Sequence, residues 1–231
     1  MLNKEKSILE YYEDESSSAT EFRRLAKNIR RYGNPTAVNS ILLTSAAKHE
    51  GKSLIAANLA IAVAKSEEDK RVVLIDCDLR MPVLHTLFCI ERKPGLSYIL
   101  EEEASPTDVA HDTKLDNLKV IPSGHIKGSP IVMLAGIKDA LAKCKEAFDV
   151  VICDSPPIVP VDDAGMIAPN VDGVLLVVMA GKTDRMVVKR AVDILSEIKD
   201  AKILGIVLNN LNRTLPYYYD YNYYHYRYDR Y

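Results

Sequence analysis

The stretch "SILLTSAAKHEGKS" (residues 40–53) decides how the rest of the chain is interpreted. Its first part, "SILLTS", is a short apolar run typical of a buried strand, and "GKSLIAANLAIAVAKS" (51–66) has the apolar spacing of a helix. Between them, "AAKHEGKS" (46–53) fits the pattern A-x-x-x-x-G-K-S. Strand, loop and helix in this order predict a phosphate-binding loop, in which backbone N–H groups and the helix N-terminus hold phosphate oxygens.

The residue types in this loop predict a role for each position. We expect Lys52 to reach the β- and γ-phosphates of a nucleotide and the Ser53 hydroxyl to bind Mg²⁺. The predicted nucleotide site comprises Ala47, Lys48, His49, Glu50, Gly51, Lys52, Ser53 and Leu54. Lys48 and His49 stand where small residues are expected, and His49 adopts a positive φ less freely than glycine does.

The apolar runs further along the chain predict a parallel sheet. The runs are "RVVLIDCD" (71–78), "DVVICDSPP" (149–157), "GVLLVVMA" (173–180) and "AKILGIVLNN" (201–210). Helical spacing in "PIVMLAGIKDALAKCKEAF" (130–148) and "TDRMVVKRAVDILSEIKD" (183–200) separates them. This alternation predicts a single α/β domain, with a mostly parallel sheet covered by helices on both faces. Such sheets bind ligands at the carboxyl ends of their strands.

Carboxylates follow two of the predicted strands. Asp76 and Asp78 lie two residues apart, so in an extended chain both would point to the same site; a helix cap would explain only one of them. Asp154 follows four apolar residues, as a Walker B aspartate does. Ser53, Asp76 and Asp154 are the predicted Mg²⁺ ligands. Lys52, Asp76, Asp78 and Asp154 are the predicted catalytic set, with Asp76 as the base that deprotonates a hydroxyl.

The C-terminal segment is unusually rich in tyrosine. Nine of the thirteen tyrosines in the chain lie within residues 217–231, namely Tyr217, Tyr218, Tyr219, Tyr221, Tyr223, Tyr224, Tyr226, Tyr228 and Tyr231. The segment has no Val, Ile, Leu or Phe with which to bury an aliphatic face. It is therefore either an adhesive low-complexity tail or a set of phosphate acceptors, and the second interpretation needs a phosphoryl-transfer site elsewhere in the chain.

The composition and the N-terminal sequence limit the ligands and the cellular location that we expect for this protein. The 231 residues carry a net charge of −2, which argues against non-specific nucleic-acid binding. The start of the chain has no apolar segment typical of a signal peptide, and no apolar run is long enough to span a membrane. We therefore expect a cytoplasmic protein with a flexible arm over residues 1–17, a P-loop domain over 18–215 and a disordered tail over 216–231.

The segment "TEFRRLAKNIRRYG" (20–33) predicts a helix, with Thr20 as its N-cap and Gly33 at its end. Its basic face has two plain interpretations, solvation or contact with acidic lipid headgroups.

Taken together, the three phosphate-site motifs in this order resemble those of the bacterial tyrosine kinases, a P-loop family. "AAKHEGKS" resembles that family's Walker A motif, "LIDCDLR" its second Walker motif and "VVICDSPP" its Walker B motif. The tyrosine-rich tail is similar to its autophosphorylation cluster. "EFRRLAKNI" is similar to its E-x-x-R-x-x-R oligomerisation helix through Glu21, Arg24 and Lys27, although Lys27 stands where that motif has arginine.

The resemblance implies a deviant-Walker P-loop fold and a protein-tyrosine kinase that uses ATP and Mg²⁺. It also implies a ring-like homo-oligomer whose subunits phosphorylate one another's tails, and contact between adenine and Asn209, although Asn209 would serve equally as a turn residue. The expected partners are a membrane adaptor of the polysaccharide co-polymerase type, protein tyrosine substrates and a cognate phosphatase. The expected process is capsular or exopolysaccharide synthesis and export.

Two alternatives remain open from the sequence. One is a partition or septum-site ATPase switch, a class that typically has a lysine at the position of Ala47. The other is a nucleotide-binding scaffold whose phosphate loop is impaired by His49 and whose tail is modified by another kinase.

Overall fold

A seven-stranded sheet forms the centre of the computed structural model, which describes residues 6–32 and 38–211. The strands are β1 (Ser40–Ser45), β2 (Val72–Asp76), β3 (His111–Asp112), β4 (Leu118–Ile121), β5 (Val150–Asp154), β6 (Gly173–Met179) and β7 (Ile203–Asn209). Their order is β3-β4-β2-β5-β1-β6-β7. Only the β3–β4 pair is antiparallel among these described strands, so the predicted, mostly parallel α/β fold is confirmed.

Helices cover both faces of this sheet. In the part of the chain that the structure describes, the α-helices are α1 (Ser17–Tyr32), α2 (Lys52–Ser66), α3 (Leu84–Phe88), α4 (Leu96–Leu100), α5 (Pro106–Val109), α6 (Pro130–Met133), α7 (Ile137–Ala147), α8 (Asp163–Ile167) and α9 (Arg185–Glu197). Helices α1 to α3 contribute to the core on one face, and α4, α5 and α7 to α9 contribute to the core on the other.

The central strands are apolar along their whole length because each face has its own core. Along β2, Val73 and Ile75 belong to one core cluster, whereas Val72 and Leu74 belong to the other. Every residue of β1, β2 and β5 is buried. This two-sided burial is the physical reason why these strands read as continuous apolar runs rather than as alternating ones.

Three elements differ from the sequence prediction. Strands β3 and β4 were not predicted, because β3 is short and polar and Lys119 interrupts the apolar run of β4. The helix predicted over 130–148 is three consecutive pieces, α6, a 3-10 helix (Leu134–Gly136) and α7. Helix α1 begins at Ser17 rather than after Thr20.

The Ser16 hydroxyl caps this helix by accepting a hydrogen bond from the Ala19 N–H, at 3.1 Å. Thr20 lies inside the first turn and donates its hydroxyl hydrogen to the Ser16 carbonyl. The predicted helix end at Gly33 lies outside the described residues.

Part of the predicted N-terminal arm packs against the domain. A 3-10 helix runs over Ile8–Tyr11, and the Ile8 side chain is buried in the core cluster formed by α1 and α2. Ion pairs at the surface accompany this packing, Glu10 with Lys114 and Asp14 with Lys65. Burial of Ile8 therefore attaches residues 8–11 to the domain, and the division into an arm, a P-loop domain and a tail stays a prediction.

Across residues 6–32 and 38–211, none of the helices combines the length and the apolarity needed to span a membrane.

Candidate active site

The predicted site residues meet where three central strands end. Strands β1, β5 and β2 are parallel neighbours, so their carboxyl ends lie at the same edge of the sheet. Asp76 at the end of β2 is the direct register partner of Asp154 at the end of β5. The phosphate loop leaves β1 at this edge, next to both carboxylates. This arrangement matches the general ligand position of parallel α/β sheets.

Two residues of the phosphate loop have a positive φ. One is a glycine, as expected, and the other is a histidine, which adopts this conformation less readily. Gly51 precedes α2 with φ of 82°, and a Cβ atom there would lie 2.3 Å from Nδ2 of Asn209. Glycine is therefore required at this position for both conformation and space. His49 also has a positive φ, 62°, although it carries a side chain. His49 and Lys48 are both exposed, so the left-handed backbone is the unusual feature of this turn.

Glu50 holds the loop in place. Its side chain is buried, and one carboxylate oxygen accepts a hydrogen bond from the Ala47 N–H at 2.8 Å. The other oxygen accepts from the Met179 N–H at 3.3 Å and from the Thr183 hydroxyl. Asn209 donates from Nδ2 to the Glu50 carbonyl at 2.8 Å. The loop is thus tied to the ends of β6 and β7, and the role of Thr183 in this network was not predicted from the sequence.

Lys52 lies among three carboxylates. Its Nζ is 3.0 Å from Oδ2 of Asp78, and Asp76 and Asp154 are close enough for their charges to act on it. Burial works to lower the pKa of Lys52, but the charges of Asp154 and Asp78 outweigh it, so the pKa of Lys52 is raised. The ammonium group therefore stays protonated and is available for phosphate oxygens.

The two carboxylates that face each other across β2 and β5 are deeply buried. Burial raises the pKa of Asp154 to about 6, against the opposing charge of Lys52. Burial and the charge of Asp154 also hold the pKa of Asp76 well above its usual range. Both carboxylate oxygens of Asp154 and Oδ1 of Asp76 have no hydrogen-bond partner of ordinary geometry within the described part of the chain, although the Ser53 hydroxyl lies near enough to Asp154 to lower its pKa. Buried oxygens without partners are costly unless a ligand completes their coordination.

The Asp154 oxygens fit a divalent cation held jointly with a nucleotide, and Oδ1 of Asp76 beside them can take either that cation or a proton. Across the described residues, no group of three or more His, Cys, Asp and Glu side chains could hold a metal ion. Mg²⁺ is commonly held by one or two carboxylates with phosphate oxygens and water, so a complete protein cage is unnecessary. Asp154 and Asp76 supply carboxylates of that kind, and Ser53 lies in the first turn of α2 at the same edge of the sheet.

The loop after β2 folds back onto its own carboxylates. Asp76 accepts hydrogen bonds through Oδ2 from the N–H groups of Val83 and Leu84, both at 3.0 Å. Asp78 accepts through Oδ1 from the Met81 N–H at 2.9 Å. One oxygen of each carboxylate is thereby oriented by the backbone, which leaves Oδ2 of Asp78 to Lys52 and Oδ1 of Asp76 without a partner.

Two further groups of predicted residues lie elsewhere. Glu21, Arg24 and Lys27 are on α1, where Arg24 pairs with Glu21 at 3.1 Å and Lys27 is exposed. All nine tail tyrosines lie outside the described residues. An ion pair between Arg80 and Asp163 borders the site. The sequence did not predict a role for either of these two residues.

Comparisons with known proteins agree with this fold. The family profile described as "ParA: NUBPL iron-transfer P-loop NTPase" matches residues 37–218. The tyrosine-protein kinase YwqD of Bacillus subtilis (strain 168) is 33% identical over 222 residues, covering 95% of this chain and 92% of the relative. The chain belongs to the bacterial tyrosine-protein kinase family. The putative tyrosine-protein kinase CapB of Staphylococcus aureus is 30% identical and covers 96% of this chain and 99% of its own length.

A solved structure supports the same assignment to the bacterial tyrosine kinases. The kinase domain of the Escherichia coli tyrosine kinase ETK superimposes with a TM-score of 0.84 at 26% identity, over 93% of this chain and 84% of that one. The chain is therefore a protein-tyrosine kinase built on a nucleotide-binding P-loop fold, which the ParA-type profile also describes. This assignment disfavours the partition-type ATPase switch as its function.

Proposed function

We propose that this kinase transfers the γ-phosphoryl group of ATP, bound with Mg²⁺, to tyrosines of its own C-terminal tail, with the tail supplied by a neighbouring subunit. The single observation that carries the proposal is the set of unpartnered oxygens on Asp76 and Asp154 beside Lys52. A buried acidic pair next to a protonated lysine and a phosphate loop suits phosphoryl transfer, in which charge placement is the main catalytic effect.

The roles of the side chains follow from their surroundings. Lys52 would leave Asp78 to contact phosphate oxygens, and the Ser53 hydroxyl and the Asp154 carboxylate would hold Mg²⁺. ATP would supply the phosphoryl group, and Mg²⁺ would supply positive charge against the negative charge that develops on it. The tyrosine oxygen forms its bond to phosphorus as the bond to the ADP oxygen breaks.

Asp76 accepts the proton that the tyrosine loses. A phenol has a pKa of about 10, so its reaction is helped by a carboxylate that holds a proton more strongly than an exposed one. The pKa of Asp76 is raised by burial and by Asp154, which strengthens it as a base. Hydrogen bonds from Val83 and Leu84 fix its Oδ2, so Oδ1 is the oxygen that takes the proton.

Asn209 has two tasks in this proposal. It donates one Nδ2 hydrogen to the Glu50 carbonyl, and its Oδ1 accepts from the Asn210 N–H at 2.8 Å. The second Nδ2 hydrogen remains for an acceptor nitrogen of adenine. Asn209 would then connect the base of the nucleotide to the backbone of the phosphate loop.

The wider setting is proposed from the family alone. The kinase would form a ring through Glu21, Arg24 and Lys27 of α1, where Lys27 lacks the planar fork of arginine. The kinase would be cytoplasmic, and an adaptor of the polysaccharide co-polymerase type would recruit it to the membrane and activate it. A cognate phosphatase would remove the phosphate groups that it adds. Its regulated process would be capsular or exopolysaccharide synthesis and export.

A mixing experiment tests the reaction and its direction together. One chain carries Lys52→Met and an intact tail; the other has a wild-type site but ends after Pro216. With Mg²⁺ and ATP, we expect phosphotyrosine on the tail of the Lys52→Met chain only when both chains are present. The physical reason is that the first chain lacks the phosphate-binding charge and the second lacks the acceptors.

Each chain alone serves as a control, and circular dichroism checks that Lys52→Met remains folded. Phosphotyrosine on Lys52→Met alone would contradict the role of Lys52. If neither the mixture nor the intact wild-type chain gained phosphotyrosine, the tail would be the substrate of another kinase, as in the scaffold alternative. Labelling confined to intact wild type would indicate reaction within one subunit.

A further inference from the structure

We propose that Arg80 and Asp163 are positioning residues that keep the acidic loop after β2 in register with Asp154 during the reaction. The acidic loop is defined as residues 77–83, between Asp76 and α3. The inference deepens the proposed function and rests on the roles given there to Asp76 and Asp78. Neither Arg80 nor Asp163 is proposed to touch ATP or tyrosine.

The pair joins the segments that follow the two catalytic strands. Arg80 lies in the acidic loop after β2, and Asp163 begins α8, which follows the loop after β5. Nε and Nη2 of Arg80 donate to the two oxygens of Asp163 at 2.9 and 2.8 Å. The Asp163 side chain is completely buried, whereas that of Arg80 is 38% exposed. A bidentate pair with a fully buried carboxylate fixes direction as well as distance.

The remaining contacts shape the loop without fixing all of it to the domain. The hydrogen bonds from Met81 to Asp78 and from Leu84 to Asp76 act between the loop and its own ends. Cys77 donates its N–H to the Asp154 carbonyl at 2.8 Å, and Cys77 and Leu79 both pack in the core, so these contacts hold the first part of the loop. Among the described residues, the acidic loop forms ion pairs at two points, Lys52 with Asp78 and Arg80 with Asp163.

One of these two ion pairs is lost when the nucleotide binds in the proposed manner. Lys52 then turns from Asp78 to the phosphates, so the loop loses the ion pair that joined Asp78 to α2. The Mg²⁺ proposed at Asp154 would supply positive charge at that place. The Arg80–Asp163 pair is the ion pair that persists at that stage, so its effect is expected to be larger in the nucleotide complex than in the free protein.

The chain contains a closely matched control for this pair. Arg71 and Asp149 immediately precede β2 and β5, and they form the same bidentate contact, with both Nε–Oδ2 and Nη2–Oδ1 at 3.1 Å. Arg71→Gln therefore removes a contact of the same geometry beside the same two strands, at the opposite edge of the sheet, where Asp149 is more exposed than Asp163. If the place of the ion pair in the fold matters, kcat and amide exchange should change in Arg80→Gln and not in Arg71→Gln.

The first measurement is steady-state phosphorylation of a tyrosine peptide by the full-length protein. Because small displacements of catalytic groups are costly, we expect Arg80→Gln to lower kcat by about tenfold to 100-fold. Its dissociation constant for ATP should stay within about threefold of wild type, and Arg71→Gln should stay within about twofold in both quantities. Arg80→Lys should recover part of kcat, since lysine supplies the charge without the second hydrogen bond.

The second measurement does not require kinase activity. Hydrogen exchange at the Met81 and Leu84 amides reports the loop directly, because these groups donate to Asp78 and Asp76. With Mg²⁺ and a non-hydrolysable ATP analogue, we expect exchange of both amides to be about tenfold faster in Arg80→Gln than in wild type. Without nucleotide the difference should be smaller.

The two readouts separate the inference from the proposed function. A wild-type protein that phosphorylates no tyrosine would refute the proposed function, while amide exchange would still decide whether the pair holds the loop. The inference is overturned if Arg80→Gln retains wild-type exchange in the nucleotide complex. It is also overturned if Arg71→Gln reduces kcat as much as Arg80→Gln does, or if kcat falls only in proportion to lost ATP affinity or lost folded protein.

Discussion

At the scale of single residues, Asp154 has a proposed role in holding Mg²⁺ and also lowers the free energy of unfolding at neutral pH. Its carboxylate is buried, and its pKa is raised to about 6 by that burial. A carboxyl group with a higher pKa in the folded state than in the unfolded state binds more protons when folded. The free energy of unfolding therefore decreases as pH rises through the interval from about 4 to about 6, and the penalty is fully present above it. Asp76 contributes with the same sign.

We therefore predict that Asp154→Asn is more stable than wild type in the absence of nucleotide at pH 7.5. The gain should be about 1 kcal/mol, because removal of the buried charge is partly offset by an amide that also lacks partners. The difference should shrink toward pH 4.5, where the wild-type carboxyl group is protonated. Urea unfolding at both pH values measures it, while the variant loses kinase activity. A constant difference between the two pH values would contradict the assigned cause.

His49 is a second residue where local conformation has a measurable cost. Its φ of 62° is tolerated poorly by branched side chains. We predict that His49→Val lowers the free energy of unfolding by about 1–2 kcal/mol, whereas His49→Asn leaves it nearly unchanged. The neighbouring variant Lys48→Val is the control, since Lys48 is equally exposed and has no positive φ. Equal losses in both valine variants would show that the left-handed backbone is not the reason.

At the scale of elements, the phosphate loop depends on the two strands at the far edge of the sheet. Glu50 accepts hydrogen bonds from the end of β6 and from the turn before α9, and Asn209 at the end of β7 donates to the loop backbone. The loop is therefore held from one side by β1 and α2, which flank it in sequence, and from the other side by elements distant in sequence. Its shape should respond to changes in those distant elements.

Thr183→Val tests this dependence with little change of volume. The substitution removes a hydroxyl donor from a buried carboxylate, so the free energy of unfolding should fall by about 1–3 kcal/mol. Because the loop loses one of its supports, we also expect weaker binding of ATP, measured by calorimetry. Thr183→Ser keeps the hydroxyl and should restore affinity. Unchanged affinity in a folded Thr183→Val protein would mean that Glu50 holds the loop without this donor.

At the scale of the whole molecule, the main consequence of the proposed reaction is a large change in the net charge of the chain. The chain has a formal net charge of −2. Nine phosphotyrosines would add roughly −14 to −18 at neutral pH. Charges one or two residues apart lie within the screening length of about 8 Å at physiological salt, so neighbouring phosphotyrosines would repel one another. They would also be repelled by the carboxylates of the active site.

We predict that tail phosphorylation dissociates the assembly. Light scattering should give a lower particle mass for the phosphorylated protein than for the same sample after phosphatase treatment. A chain that ends after Pro216 is the control, and its mass should not change with Mg²⁺ and ATP. If the unmodified protein is oligomeric and its mass is the same after full phosphorylation, charge repulsion does not control assembly, and the tail would instead be a docking signal.

The sequence alone determined the parts of this protein that depend on local pattern. The A-x-x-x-x-G-K-S loop between strand and helix, the carboxylates at 76, 78 and 154, and the alternation of apolar strands with helices are all contained in short segments. They predicted the α/β fold, because two-sided burial makes a strand continuously apolar whatever its neighbours are. They also predicted which strand ends carry the chemistry, because parallel strands end at one edge.

Only the tertiary structure decided how those residues are held and charged. Arg80 and Asp163 are 83 positions apart, and Glu50 and Asn209 are 159 apart, so no local pattern connects them. The pKa values of Asp76 and Asp154 likewise depend on burial and on each other across β2 and β5. Hydrogen bonds and desolvation act over a few ångströms in space, and only the packing of the whole sheet brings these groups within that range.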